Sequence, residues 1–336
     1  MCIILIVRNK NVEGRFMYLV FDVGATFVKY AWMTEDGFIE EKGKLPTPNK
    51  LGDGVDDFLE SIGSIYDKYK LVGSVEGIAM GLPGQVDVEK GIVYGGGGLR
   101  YMDEVPLGDL LSSRCDGVKV SLENDAKCTA LAEVWLGNAK NVQDACVLVF
   151  GTGIGGGIIK NRKVHRGTHL LAGEISYSLE GMTRDDLNAV TPIEKIISLE
   201  EANDRIPFVQ AAKCSTFGLS WRVARAKGIP VDEVDGEKIY QWVEAGDPVA
   251  TKVLEDVYFD IAKMCINLYV TFDPEVILIG GGISAQPAFV AGIQKYIDRL
   301  KPLTKVYASS KIDVCKFLND SNLIGALYNF KQLYEK

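Results

Sequence analysis

The stretch Cys146-Val147-Leu148-Val149-Phe150-Gly151-Thr152-Gly153-Ile154-Gly155-Gly156-Gly157-Ile158-Ile159 decides the fold, because it admits two incompatible readings. Gly151 to Gly156 matches the dinucleotide fingerprint G-x-G-x-x-G, which functions only where the glycines open a helix whose N-terminus faces a pyrophosphate. Here a β-prone run, Cys146 to Phe150, leads into the glycines, and Ile158-Ile159 restarts a strand before a charged turn at Lys160 to Lys163. The pattern predicts a β-hairpin with a glycine-rich tip. An NAD-dependent dehydrogenase is the alternative that rests on the fingerprint alone.

A tip of this kind can hold phosphate. Residues without side chains let backbone N–H groups converge on an anion, and Thr152 adds a hydroxyl. Five of the seven residues from Gly151 to Gly157 are glycine, more than a tight turn requires. No G-x-x-x-x-G-K-[ST] segment occurs, which excludes a Walker-type nucleotide site.

Outward from this hairpin the pattern repeats. Met17 to Phe21 is β-prone, Asp22-Val23-Gly24-Ala25-Thr26 turns, and Phe27 to Met33 resumes a strand. The two hairpins lie roughly 130 residues apart and hint at a duplicated architecture. At the first tip, Asp22 could orient metal-bound water and Thr26 could meet a phosphoryl oxygen, or both could simply form an Asx-type turn. Val55 to Tyr69 has the apolar spacing of an amphipathic helix, and Gly77 to Met80 reads as a strand ending in Gly81-Leu82-Pro83-Gly84. Val118 to Leu122 is a further strand. Glu123-Asn124-Asp125 then stands at a junction before a helix over Ala126 to Leu136. Asp125 there is either a helix cap or an ionised base, and the local pattern leaves both open. Val253 to Tyr269 is helical, Val276 to Ile279 is a strand, and Gly280-Gly281-Gly282 breaks it before a helix near Pro287. Strands and helices alternate throughout, so the class is α/β.

Bulk properties narrow the possibilities. At 336 residues, 47% hydrophobic and 24% charged, the chain exceeds what one core usually supports, and two domains are expected. The expected division is an extension at 1–16, a small N-terminal domain over 17–123 joined by a C-terminal helix at 321–336, and a large domain over 124–320. A formal net charge of −8 without any basic block argues against a nucleic-acid partner. The seven cysteines are scattered, as suits reduced thiols, and Cys2 to Val7 is too short for a membrane span. A cytoplasmic protein without a membrane partner is expected. His165 and His169 have no partner at ligand spacing, so no zinc site is expected.

Taken together, Phe21-Asp22-Val23-Gly24-Ala25-Thr26, Gly81-Leu82-Pro83-Gly84, Glu123-Asn124-Asp125-Ala126, Gly151 to Gly157, Ala172-Gly173-Glu174 and Asp273-Pro274 leading to Ile279-Gly280-Gly281-Gly282-Ile283 resemble the ROK family of sugar kinases and sugar-responsive repressors. The resemblance implies a two-domain, actin-like (ribonuclease-H-like) ATPase fold, with ATP, Mg2+ and a sugar meeting in an inter-domain cleft. It implies phosphate or magnesium contacts from Asp22, Gly24, Thr26, Gly151, Thr152 and Gly153, with Asp22 acting on Mg2+ through water. Gly281 and Gly282 would lie against the nucleoside. Gly84, Asn124, Asp125, Glu174 and Tyr177 would hold the sugar, with Asp125 as catalytic base. A homodimer is compatible with this reading.

Two departures bear on substrate. Glucokinases of the family read Glu-x-Gly-His followed by a cysteine-rich zinc knuckle. Here the run is Glu174-Ile175-Ser176-Tyr177, and no cysteine occurs between Cys146 and Cys214. The local loop would then be held by packing rather than by zinc. Together with the run Gly95-Gly96-Gly97-Gly98-Leu99-Arg100-Tyr101, this resembles the bacterial β-glucoside kinases, and implies phosphorylation of the 6-hydroxyl of a β-glucoside such as cellobiose. Glucokinase and N-acetylmannosamine kinase are the alternatives. A repressor would need a DNA-binding module ahead of Met17, which only sixteen residues precede.

Overall fold

The computed structural model describes residues 16–189, 195–196 and 198–335, and all of the expected extension except Phe16 lies outside them. The chain divides into two compact units. One runs to Asn124 and resumes at Ala326, and the other is Asp125–Gly325.

The first unit is built on β1 (Met17–Val23), β2 (Phe27–Thr34), β3 (Ile39–Pro46), α1 (Val55–Tyr69), β4 (Gly77–Leu82), the short ribbon β5 (Gln85–Asp87) and β6 (Ile92–Tyr94), α2 (Leu107–Arg114) and β7 (Val120–Asn124). Its main sheet has the order β3-β2-β1-β4-β7, antiparallel on the hairpin side and parallel from β1 to β7. β1 is buried at every residue, which is why its sequence is a nearly unbroken apolar run rather than an alternating one. α1 begins where Asp57 accepts a hydrogen bond from the Gly54 N–H at 2.9 Å, and it turns Phe58, Ile62, Tyr66 and Tyr69 onto the core.

The second unit contains α3 (Asp125–Trp135), β8 (Ala145–Phe150), β9 (Ile154–Lys160), β10 (Lys163–Val164), α4 (Leu199–Arg205), α5 (Gln210–Cys214), α6 (Thr216–Lys227), α7 (Gly236–Glu244), α8 (Pro248–Phe272), β11 (Val276–Gly280), α9 (Pro287–Leu300) and β12 (Ile312–Val314). Its sheet, β10-β9-β8-β11-β12, repeats the strand order and the strand senses of the first. The hint of duplication from the paired hairpins thus has a topological basis. α8 opens on Asp247, which accepts hydrogen bonds from the N–H groups of Val249 and Ala250, with Pro248 at its first position. The last helix, α10 (Ser321–Tyr334), carries Asn329 and Tyr334 into the first unit, where they donate to the Leu122 and Val120 carbonyls at 3.1 and 2.9 Å. None of the described helices is long and apolar enough to cross a membrane.

The glycine-rich hairpin differs from its sequence reading in one respect. β9 already begins at Ile154, so the turn is only Gly151-Thr152-Gly153, while Gly155, Gly156 and Gly157 lie inside the strand. Their smallness serves packing. A Cβ on Gly155 would come within 2.6 Å of Ala126 Cβ, one on Gly157 within 2.5 Å of Ala130 Cβ, and one on Gly156 within 2.2 Å of the Gly173 carbonyl oxygen. Helix α3 rests directly on this strand. The glycines therefore enter a returning strand and not a helix, and the dinucleotide fingerprint lacks the helix N-terminus it requires. The strand-to-helix junction also shifts: parallel pairing with β4 draws Glu123 and Asn124 into β7, with Asn124 opposite Leu82, and α3 starts at Asp125 itself.

Gly157→Val should therefore destabilise the protein by about 2 kcal/mol or more, the scale of an overpacked core site. Gly151→Ala, where a Cβ meets nothing within 4 Å, should cost less than about 0.5 kcal/mol. Guanidinium unfolding of the two variants reads the difference.

Candidate active site

Of the residues expected to bind ligand, Asp22, Gly24, Thr26, Gly84 and Asn124 lie in the first unit and the others in the second. In the first unit Asp22 is not part of an Asx turn. It is the penultimate residue of β1, buried, directly opposite Lys29 on β2, and the Lys29 ammonium stands 3.0 Å from its carboxylate. The tip that follows is exposed but clamped: Thr47 donates its N–H to the Thr26 carbonyl and its hydroxyl to that of Gly24 at 2.6 Å. Asn124 is buried at the end of β7 and donates its side-chain amide to the Gly84 carbonyl at 3.0 Å.

The glycine run 95–98 closes this group. Gly95, Gly96 and Gly97 all take left-handed conformations, with φ of +73°, +50° and +56°, which residues with side chains adopt only under strain. A Cβ on Gly97 would meet Pro83 at 2.9 Å, and one on Gly98 would meet Ala25 at 3.3 Å. The run is a packed turn, held by Asp103 accepting the Gly95 N–H at 2.6 Å and by Tyr101 donating to the Pro48 carbonyl at 2.6 Å. Hairpin tip, Pro83-Gly84 turn and glycine run thus meet within one unit.

In the second unit the 151–153 turn is gripped from two sides. Thr216, the first residue of α6, donates both its N–H and its hydroxyl to the Gly151 carbonyl at 2.9 and 2.6 Å. Ser176 accepts the Ile154 N–H at 3.0 Å and donates to the Ile154 carbonyl at 2.6 Å. Gly281 has φ +91° and lies so close to β8 that a Cβ would sit 2.1 Å from the Phe150 carbonyl oxygen. Beside it opens a cavity of about 490 Å³, lined by Thr216, Gly236, Glu237, Tyr240, Gly282 and Ile283 among others. Its size falls in the usual range for small-ligand pockets, roughly 300–1,000 Å³. Burial pushes the Tyr240 hydroxyl up to about 12, against a smaller opposing effect of its 2.9 Å hydrogen bond with Tyr258, so the cavity wall is neutral at this point.

Asp125 heads α3, half-buried, with one carboxylate oxygen accepting the Ala126 N–H at 2.8 Å. Two residues on, Lys127 is buried and its ammonium stands 3.1 Å from the Glu174 carboxylate. Glu174 leads a short turn through Ile175–Tyr177, and the Tyr177 ring is exposed. Among the described residues no group of three or more His, Cys, Asp or Glu side chains could hold a metal ion, and His165 and His169 are both exposed. The turn packs on β9, where Gly173 and Ile175 approach Gly156, and the Ser176 hydrogen bonds and the Lys127 ion pair add to that packing.

The residues fit the groups implied for them. The cavity with its adjoining backbone turn suits a nucleoside and its phosphates. The Asp22 carboxylate offers the hard oxygen that Mg2+ prefers, typically alongside retained water. Sequence reasoning missed Thr216, Tyr240, Ser176 and Lys127. Only Lys127 left a signal, as the sole basic side chain within the apolar helix α3.

A family model described as the ROK family matches residues 18–182 and 211–333. The β-glucoside kinase of Klebsiella pneumoniae is 32% identical over 314 residues, covering 94% of this chain and 96% of that protein. Among solved structures, a ROK family protein from Streptococcus pneumoniae in complex with sucrose aligns with a TM-score of 0.77 at 31% identity, over 95% of this chain and 99% of the other. A ROK family glucokinase from Streptomyces griseus in complex with glucose and AMPPNP, at 21% identity, shares the fold with a TM-score of 0.73, over 93% and 98% of the two chains. The chain belongs to the ROK family, and its fold is the actin-like ATPase fold.

Thr216→Val removes one of the two hydrogen bonds that fix the Gly151 carbonyl. The KM for ATP should rise about fivefold, the scale of one neutral hydrogen bond, while the KM for the sugar changes less than about twofold. Steady-state kinetics with each substrate varied in turn tests this.

Proposed function

We propose that this member of the ROK family, a carbohydrate kinase, transfers the γ-phosphoryl group of ATP to the 6-hydroxyl of the glucosyl unit in a β-glucoside such as cellobiose. Asp125 is the general base in this reading. Its carboxylate accepts the hydroxyl proton as the oxygen attacks the γ-phosphorus, the bond to the β,γ-bridging oxygen breaks, and ADP leaves with that oxygen. The start of a helix favours the ionised carboxylate that such a step needs. Glu174, Tyr177, Asn124 and Gly84 are assigned to the sugar, Gly281 and Gly282 with the neighbouring cavity to the nucleoside, and Gly24, Thr26 and Gly151 to Gly153 to the phosphates. Mg2+, when bound, neutralises charge on the transferring phosphates, and Asp22 would hold it through water.

The observation that carries the substrate choice is the packed glycine run. Gly96 and Gly97 are committed to packing, but a Cβ on Gly95 would meet nothing within 4 Å, and in this reading that open end of the run leaves room for a second group on the anomeric carbon. The exposed Tyr177 ring offers an apolar face to such a group. The similarity to a β-glucoside kinase and to a relative bound to a disaccharide supports the same choice.

Asp125→Asn keeps the shape but cannot take a proton, so kcat should fall ~10²-fold or more while ATP and sugar still bind. Retention of most of the activity would remove Asp125 from the base role. For substrate, kcat/KM measured on cellobiose, glucose and N-acetylmannosamine under one condition should be highest for cellobiose. A preference for either monosaccharide would overturn the enlarged site and leave the kinase standing.

A further inference from the structure

We infer that Lys127 is a positioning residue for sugar binding, acting through Glu174. The inference rests on the kinase reading, and in particular on Glu174 accepting hydrogen bonds from the sugar. The pair is asymmetric. The Lys127 side chain is only 3% exposed, whereas that of Glu174 is 25% exposed, so the ammonium is shut away from water and the carboxylate still reaches it. An ammonium so placed needs compensation, and the Glu174 carboxylate 3.1 Å away contributes to it.

Both ends of the pair are rigid. Lys127 sits in the first turn of α3, between Ala126 and Ala130, which lie against Gly155 and Gly157 of β9. Glu174 follows Gly173, whose own Cβ position lies 2.7 Å from the Gly156 carbonyl oxygen on the same strand. Strand β9 thus registers the helix that carries the cation and the turn that carries the carboxylate. One Glu174 oxygen faces the ammonium, and the charge held there keeps the group an acceptor with a fixed direction. The Lys127 ammonium faces Glu174, a residue assigned to the sugar, as its partner at 3.1 Å. Its effect falls on the binding of the sugar rather than on proton transfer.

The test compares Lys127→Met, which keeps the aliphatic stem without the charge, with Lys127→Arg, which restores a cation. In Lys127→Met the KM for the accepted sugar should rise about tenfold or more, the loss of one well-oriented hydrogen bond to a charged acceptor. The KM for ATP should stay within about twofold, and Lys127→Arg should recover part of the sugar KM. A merely structural lysine would lower the melting temperature and the active fraction, leaving the sugar KM of the folded enzyme unchanged, and that result would overturn the inference. Lys127→Met/Glu174→Gln, which removes both charges together, should bind sugar no worse than Glu174→Gln alone. Additive losses would also overturn it, and the double variant decides the matter if Lys127→Met does not fold. A wild-type protein that phosphorylates no sugar would instead refute the kinase reading itself, a separate outcome seen before any variant is made.

Discussion

The contact between helix α3 and strand β9 is the constraint on which the candidate site of the second unit depends. A helix can lie this close to a strand only where neither element carries a large side chain. Gly155 and Gly157 face Ala126 and Ala130 at distances that leave no room for a Cβ. Everything attached to the helix inherits that position. Asp125 heads it, Lys127 is buried within it, and Glu133 anchors its far end. The Glu133 carboxylate is completely buried, and burial raises its proton affinity, opposed by three backbone N–H donors from Asn138, Lys316 and Phe317. That network ties α3 to the segment after β12, as the glycines tie it to β9.

The same economy of side chains recurs wherever backbone must approach backbone. Gly281 nearly touches the Phe150 carbonyl, which sets the end of β11 against β8 and opens the cavity beside Gly282. Gly325 would place a Cβ 1.7 Å from the Cys128 carbonyl oxygen, so the end of the second unit meets α3 without a spacer. In each case the glycine is read most economically as close packing, and the ligand-binding role belongs to the groups that the packing arranges.

The charged groups follow a complementary rule. Asp22 and Glu174 are each met by a lysine, but in opposite arrangements. Asp22 is buried and its partner Lys29 is about half exposed, so solvent screens the pair through the cation. With Lys127 and Glu174 the cation is the buried member, and the pair is shielded from water on the side of the cation. The first arrangement keeps its cation in contact with water. The second fixes a carboxylate in place.

Much of the fold was legible in the sequence, because strands, turns and amphipathic helices are written in patterns a few residues long. The two hairpins, the α/β alternation and α1 at Val55–Tyr69 were read from apolar spacing and turn residues alone. The resemblance carried by six short motifs was enough to name the family. What the sequence left open was the purpose of particular residues. Five glycines looked like one phosphate loop, yet two of them seat a helix and a third seats the turn at Gly173, a distinction set by contacts with Ala126, Ala130 and Gly173 at other points along the chain. Asp22 looked like a turn residue until strand register placed it opposite Lys29. Lys127 stood out as a lone basic residue in an apolar helix, but its pairing was invisible, since its partner is 47 positions away. Local pattern determines which elements form because propensity and periodicity act over a few bonds. Only the tertiary structure decides which side chains lose water and which charges meet, because burial and ion pairing depend on residues that the sequence keeps far apart.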